Sequence, residues 1–189
     1  MQHPDTGHAH AKRPVTFREI RTYSNLAANN LRGHLAEFIV ATDLGVAHKA
    51  RVEWDSFDLE TMLGVTVEVK SAAYLQSWSK DGKFSPISFG IAPSVPWDET
   101  VKARVGKSVR SAKAYVFCLL AHKEKSSLDP LDLDQWKFFV LPSSILDKEL
   151  GSQKTLTLQA LRKLAAVECS YGEIGRTIER VLDSREVTA

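Results

Sequence analysis

Hydrophobic residues first take up a regular spacing in LRGHLAEFIVATDL, residues 31–44. Helical geometry there places Leu31, Leu35, Phe38 and Thr42 on one face, and Ala36 and Val40 widen it. Gly45 follows where a left-handed residue ends a helix. The predicted helix is apolar nearly all round, which implies burial, and Glu37 stands out against that background. An unpaired buried carboxylate costs several kcal/mol, so Glu37 either meets a cation or donors, or lies on a solvated rim of the helix.

The period then changes. Residues 51–61 (RVEWDSFDLET) and 64–71 (GVTVEVKS) read as two strands joined tightly at Met62-Leu63-Gly64. In the second strand Val65, Val67 and Val69 alternate with Thr66, Glu68 and Lys70, so Glu68 and Lys70 share the face opposite the valines. With the turn centred near Leu63, Asp58 falls opposite Glu68, and directly paired side chains lie about 5 Å apart. A one-residue slip would undo that pairing.

Further on, SAAYLQSW (71–78) reads as the start of a helix. Residues 80–100, with Pro86, Pro93 and Pro96, read as irregular or edge-strand material. The unbroken apolar run AYVFCLLA (114–121) is the mark of a strand buried on both faces, and QWKFFVL (135–141) is another strand. Two helices are expected over 157–167 and 172–182. This order predicts an α/β fold with a mixed central sheet flanked by helices and a helical C-terminal segment. Residues 1–14, which hold Pro4 and Pro14 and show no periodicity, read as a disordered tail before a single domain over 15–189. His3, His8 and His10 fall in that tail with no further ligand at useful spacing, so they read as a solvated leader.

Composition narrows the function classes. With 43% hydrophobic and 25% charged residues, the chain fits a globular protein rather than wholesale disorder. A net charge of +2 excludes a global basic field, so any nucleic-acid contact must come from local patches and bound cations. Cys118 and Cys169 form no CxxC or Cys/His spacing, which fits a reducing compartment. No apolar run is long enough to span a bilayer and no signal-peptide pattern is visible, so a cytoplasmic protein without a membrane partner is expected.

The chemistry gathers around the hairpin. Two carboxylates about 5 Å apart repel, and one would hold a proton. A hard divalent cation removes that penalty, because Mg²⁺ takes oxygen ligands and is commonly held by one or two carboxylates with waters and substrate phosphates. The Val69 carbonyl offers a further oxygen. Lys70, on the face of Glu68, is spaced to set an ammonium beside an attacking water and a scissile phosphate. Metal-bound water deprotonates more easily, and the cation shields charge in the transition state. Glu-x-Lys alone is common on solvated strand faces; Asp58 across the hairpin makes it a candidate site.

Together with Glu37 in the first helix and Gln76 in the helix expected after Lys70, these residues resemble the PD-(D/E)XK, or restriction-endonuclease-like, superfamily. The resemblance covers about residues 31–78 by motif and reaches the strands near Tyr115 and Trp136 by pattern. It implies that Asp58 and Glu68 are metal ligands, Lys70 the catalytic lysine, and Glu37 an accessory acid that helps hold water or a second metal. Gln76 matches a glutamine that some branches place beside the active site. The implied activity is Mg²⁺- or Mn²⁺-dependent hydrolysis of DNA phosphodiesters, in duplex or branched substrates. Phe57 stands where the family usually has proline, which leaves Asp55 as a rival to Asp58, although an ideal strand puts the two on opposite faces. Cutting both strands of a duplex usually needs two sites, so a homodimer is expected. A catalytically inactive nucleic-acid-binding or protein-interaction module of the same fold is the alternative.

Lys102, Arg104, Lys107, Arg110 and Lys113 either track phosphates or belong to a solvated linker. Ser77, Trp78 and Lys80 are further candidates to meet substrate, Trp78 being of a type more often found in the core. The segment around residues 169–172 reads as the turn of a helix-turn-helix or as the joint between two helices packed on the sheet.

Overall fold

The apolar run at 114–121 becomes the central strand of a five-stranded mixed sheet. The computed structural model describes residues 25–48, 56–78, 80, 83–98 and 100–186. Within them lie α1 (Asn29–Asp43), β1 (Leu59–Glu60), β2 (Thr66–Ala73), β3 (Ser88–Gly90), β4 (Trp97–Asp98), β5 (Ala103–Arg104), β6 (Ala114–Leu120), β7 (Trp136–Pro142), α2 (Ser143–Leu150), β8 (Thr155–Thr157), α3 (Leu158–Lys163), β9 (Val167–Cys169) and α4 (Ile174–Glu186). The main sheet has the order β1-β2-β6-β7-β9. Its β2–β6 pair is parallel and the other pairs are antiparallel.

Every residue of β6 is buried, and period two divides them between two cores. Ala114, Val116, Cys118 and Leu120 join Val67 and Val69 of β2 under α1 and α4. Tyr115, Phe117 and Leu119 face the other way, against Phe89, Leu146, Leu156 and Leu161 from α2, α3 and the β3–β8 ribbon. The sheet is thus clothed by helices on both faces, which explains why its central strand reads as one continuous apolar run. No helix among the described residues is long and apolar enough to cross a membrane.

Several boundaries differ from the sequence expectations. α1 turns a different face inward: Arg32, Leu35, Ala36, Ile39 and Val40 are buried, while Phe38 is 60% exposed and Thr42 is exposed. The true stripe runs i, i+3, i+4, i+7, i+8, and an arginine occupies its first place. β2 continues through Ala73, because pairing with β6 extends to Leu120, and no helix follows it. The helix expected over 157–167 ends at Lys163, and Val167–Cys169 instead adds a strand to β7. α2 falls where no helix was expected, directly after Pro142. The tail at 1–14 with its histidines, the first half of the 51–61 strand, and Asp55 lie outside the described residues.

Candidate active site at the edge of β2

The β1–β2 hairpin closes on a turn in which the Gly64 amide donates to the Thr61 carbonyl (3.1 Å), with Gly64 at φ +75°, a region that suits glycine. Its ladder pairs Leu59 with Val67 and Glu60 with Thr66. The ladder stops before Asp58. Asp58 lies at the margin of the sheet: its amide donates to the Val67 carbonyl (3.1 Å), and its Oδ2 accepts from the Val69 amide (2.8 Å).

Glu68 and Lys70 point to the face opposite Val67 and Val69, and Lys70 Nζ lies 2.5 Å from Glu68 Oε1. Both are half-buried, with side chains 20% and 30% exposed. Asp58 acts on both faces of the sheet. Burial pushes the Tyr115 phenol up, and the charges of Glu68, Asp147 and Asp58 add to the rise while Arg110 opposes it. On the other face, burial raises the Cys118 thiol, helped by Cys169, Asp58 and Glu37. Glu68 thus stands on one face of β2, Glu37 belongs to the helix packed on the other, and Asp58 is held at the Val69 amide.

Glu37 is half-buried, with His34 Nδ1 3.9 Å from its Oε2. Among the described residues no three His, Cys, Asp or Glu side chains are gathered as a ready-made metal-holding group. Gln76 lies on an irregular segment beyond β2 rather than on a helix. Its Oε1 accepts from Arg32 Nη1 (3.0 Å), and its Nε2 donates to the Ala73 carbonyl (3.2 Å). Arg32 also donates to Asn29 Oδ1 (2.8 Å), yet its buried Nε has no partner and no acid among the described residues pairs with it. Desolvation pushes this guanidinium down to about 10. Arg32 was missed from sequence; an arginine opening the apolar stripe of α1 was the available signal.

The cation series divides. Arg110 is buried, bonded to the Ile91 carbonyl (2.9 Å), the Gln153 carbonyl (3.1 Å) and Asp147 (2.5 Å), so it fastens the fold rather than tracking phosphates. Lys102, Arg104, Lys107 and Lys113 are exposed. Trp78 is 66% exposed, not a core residue, and lies with Ser77 in a turn. No helix-turn-helix forms around residues 169–172, because Cys169 ends a strand and α4 begins only at Ile174.

These features define a mixed α/β protein whose central sheet carries a half-buried acid–lysine cluster at one edge. No family model, curated protein or solved structure matches the chain.

Proposed function

We propose that the chain is a metal-dependent endonuclease of restriction-endonuclease-like fold that hydrolyses DNA phosphodiester bonds. The observation that carries this reading is the Asp58 carboxylate against the Val69 amide, with Glu68 and Lys70 projecting from the same stretch of β2. Folding gains little by bringing these groups together, since a part-exposed ion pair contributes at most about 1 kcal/mol. The donor set fits Mg²⁺ or Mn²⁺: the carboxylates of Asp58, Glu68 and Glu37 and the Val69 carbonyl are all hard oxygens. Asp58, Glu68 and Val69 would hold the ion, with Glu37 approaching from α1. Bound there, it would ease deprotonation of water and shield charge gathering on phosphate.

The chain's own part is positional. Val69 fixes Asp58 through a main-chain amide, a donor that cannot rotate away. Lys70 neutralises Glu68 before a cation arrives and, released from it, presents an ammonium to the phosphate. Gln76, held by Arg32, orders the segment following the site.

Nicking of supercoiled plasmid in Mg²⁺ tests the reading. Asp58→Ala, Glu68→Ala and Lys70→Ala are each expected to lower the rate by about 100-fold or more; wild-type cleavage by all three ends the assignment. The short Lys70–Glu68 contact favours a second reading, a catalytically inactive module that keeps these charges self-paired. Calorimetric titration with Mn²⁺ separates the two, because only the enzyme should show a site that Asp58→Ala removes.

A further inference from the structure

Between β3 and β6 the chain forms a two-stranded arm, with residues 92–98 as one half and 100–109 as the other. Ser94 and Val109 exchange both main-chain hydrogen bonds at its base (3.0 and 2.9 Å), and farther out Trp97 pairs with Arg104 and Asp98 with Ala103. Arg110 fixes its root, gripping the Ile91 and Gln153 carbonyls while paired with Asp147, its own side chain only 1% exposed. Beyond this anchor, every residue from 100 to 109 is exposed. Val101, Val105 and Val109 are 58%, 52% and 44% exposed, while Val95, Pro96 and Trp97 on the first strand are half-buried, so the returning strand is the open face of the ribbon. Lys102 sits in the left-handed region at φ +52°, where glycine or asparagine would be easier.

The charge on the arm is one-sided. In the sequence Asp98 and Glu99 come first, but residues 100–113 hold five cations and no acid. Arg110 is the buried root; Lys102, Arg104, Lys107 and Lys113 are exposed. The arm also springs from the end of the sheet that carries the acids. The Lys113 amide donates to the Thr66 carbonyl (3.0 Å), two residues before Glu68, and Tyr115, two residues after Lys113, is the ladder partner of Glu68.

We infer that this arm is a duplex-DNA clamp that enters the major groove and meets the flanking phosphates with Lys102, Arg104 and Lys107. A major groove about 12 Å wide admits a two-stranded ribbon, and exposed valines suit the thymine methyl groups on its floor. The inference takes its partner from the proposed function but does not depend on cleavage.

Fluorescence anisotropy with a labelled DNA duplex, in EDTA to prevent cutting, provides the test. The combined Lys102→Ala, Arg104→Ala, Lys107→Ala variant should bind about tenfold or more weakly at about 0.1 M salt, and its plot of log K against log salt should flatten by about 2 to 3, because each phosphate contact contributes about 0.9. These side chains are exposed, and Arg104 adds one donation to the Val95 carbonyl (3.0 Å) within the ribbon, so a melting temperature close to that of the wild type is expected and confirms that the fold survives. Unaltered affinity and slope would overturn the clamp. So would failure of the wild type to bind duplex, or equal binding to duplex RNA, whose deep, narrow major groove excludes a ribbon. If the wild type binds duplex through the arm yet never nicks plasmid, the nuclease reading falls and the clamp stands.

Discussion

β6 and β2 lie side by side in parallel, yet they carry opposite kinds of information. β6 is covered on both faces and flanked by strands on both edges, and the Tyr115 hydroxyl and the Cys118 thiol are the only polar side-chain groups along it. β2 shares one edge with β6, but its ladder with β1 covers only Thr66 and Val67, and Glu68 and Lys70 stand where it stops. The centre of a sheet can afford only apolar side chains, because a charge there lacks both water and a partner. At the margin, main-chain amides and half-exposed carboxylates can share ligands. Stability should therefore reside in β6 and chemistry in the edge of β2.

Substitutions can break this division. Phe117→Ala, in the middle of β6, should cost about 3–5 kcal/mol of unfolding free energy in urea titrations, through lost burial and the cavity left behind. Glu68→Gln should do the reverse, with a stability change below about 1 kcal/mol and a loss of plasmid nicking of about 100-fold or more. If Glu68→Gln unfolds the protein as Phe117→Ala does, the separation of roles is wrong. A smaller effect sharpens the frame around both strands. Asp43 Oδ1 accepts from the Gly175 amide (3.1 Å) and its Oδ2 from the Gly172 amide, tying the end of α1 to the start of α4. Asp43→Ala should cost about 1 kcal/mol by the same titration, as loss of a helix cap does.

The subtlest test lies where the two strands touch, at Tyr115. Its phenol is raised above the ordinary value of 10.0, so the folded state keeps a proton that the unfolded state releases. That contribution is complete below pH 10 and is lost as pH climbs through the folded value. Wild type should therefore lose stability above about pH 10 more steeply than Tyr115→Phe. Parallel alkaline limbs would show that burial does not hold the proton on this hydroxyl.

What was legible in the sequence follows the same physics. β6 announced itself because burial on both faces leaves no polar positions. The alternation in GVTVEVKS marked β2, and the turn at Gly64 set its register. The end of β2 was not legible: SAAYLQSW contains no signal that separates a strand paired to β6 from a helix, since the deciding contacts lie about 47 residues away in sequence. β9 is a strand only because Val167–Cys169 completes the ladder on β7. The facing of α1 was misread because Phe38 looks like core and Arg32 like surface. The buried Arg32 then holds Gln76, which the continued β2–β6 pairing leaves on an irregular segment rather than a helix.

The clasp at Asp43 has a consequence for how the molecule comes to be folded. The amides it grips are 129 and 132 residues away, and α4 supplies Ile174, Ile178 and Val181 to the layer beneath α1. During synthesis that layer stays incomplete until nearly all of the described chain has emerged, because α4 packs beside α1 on the same face of the sheet. A nascent chain stalled before α4 has emerged should accordingly be a strong client for chaperones, and release of the whole of α4 should end the association.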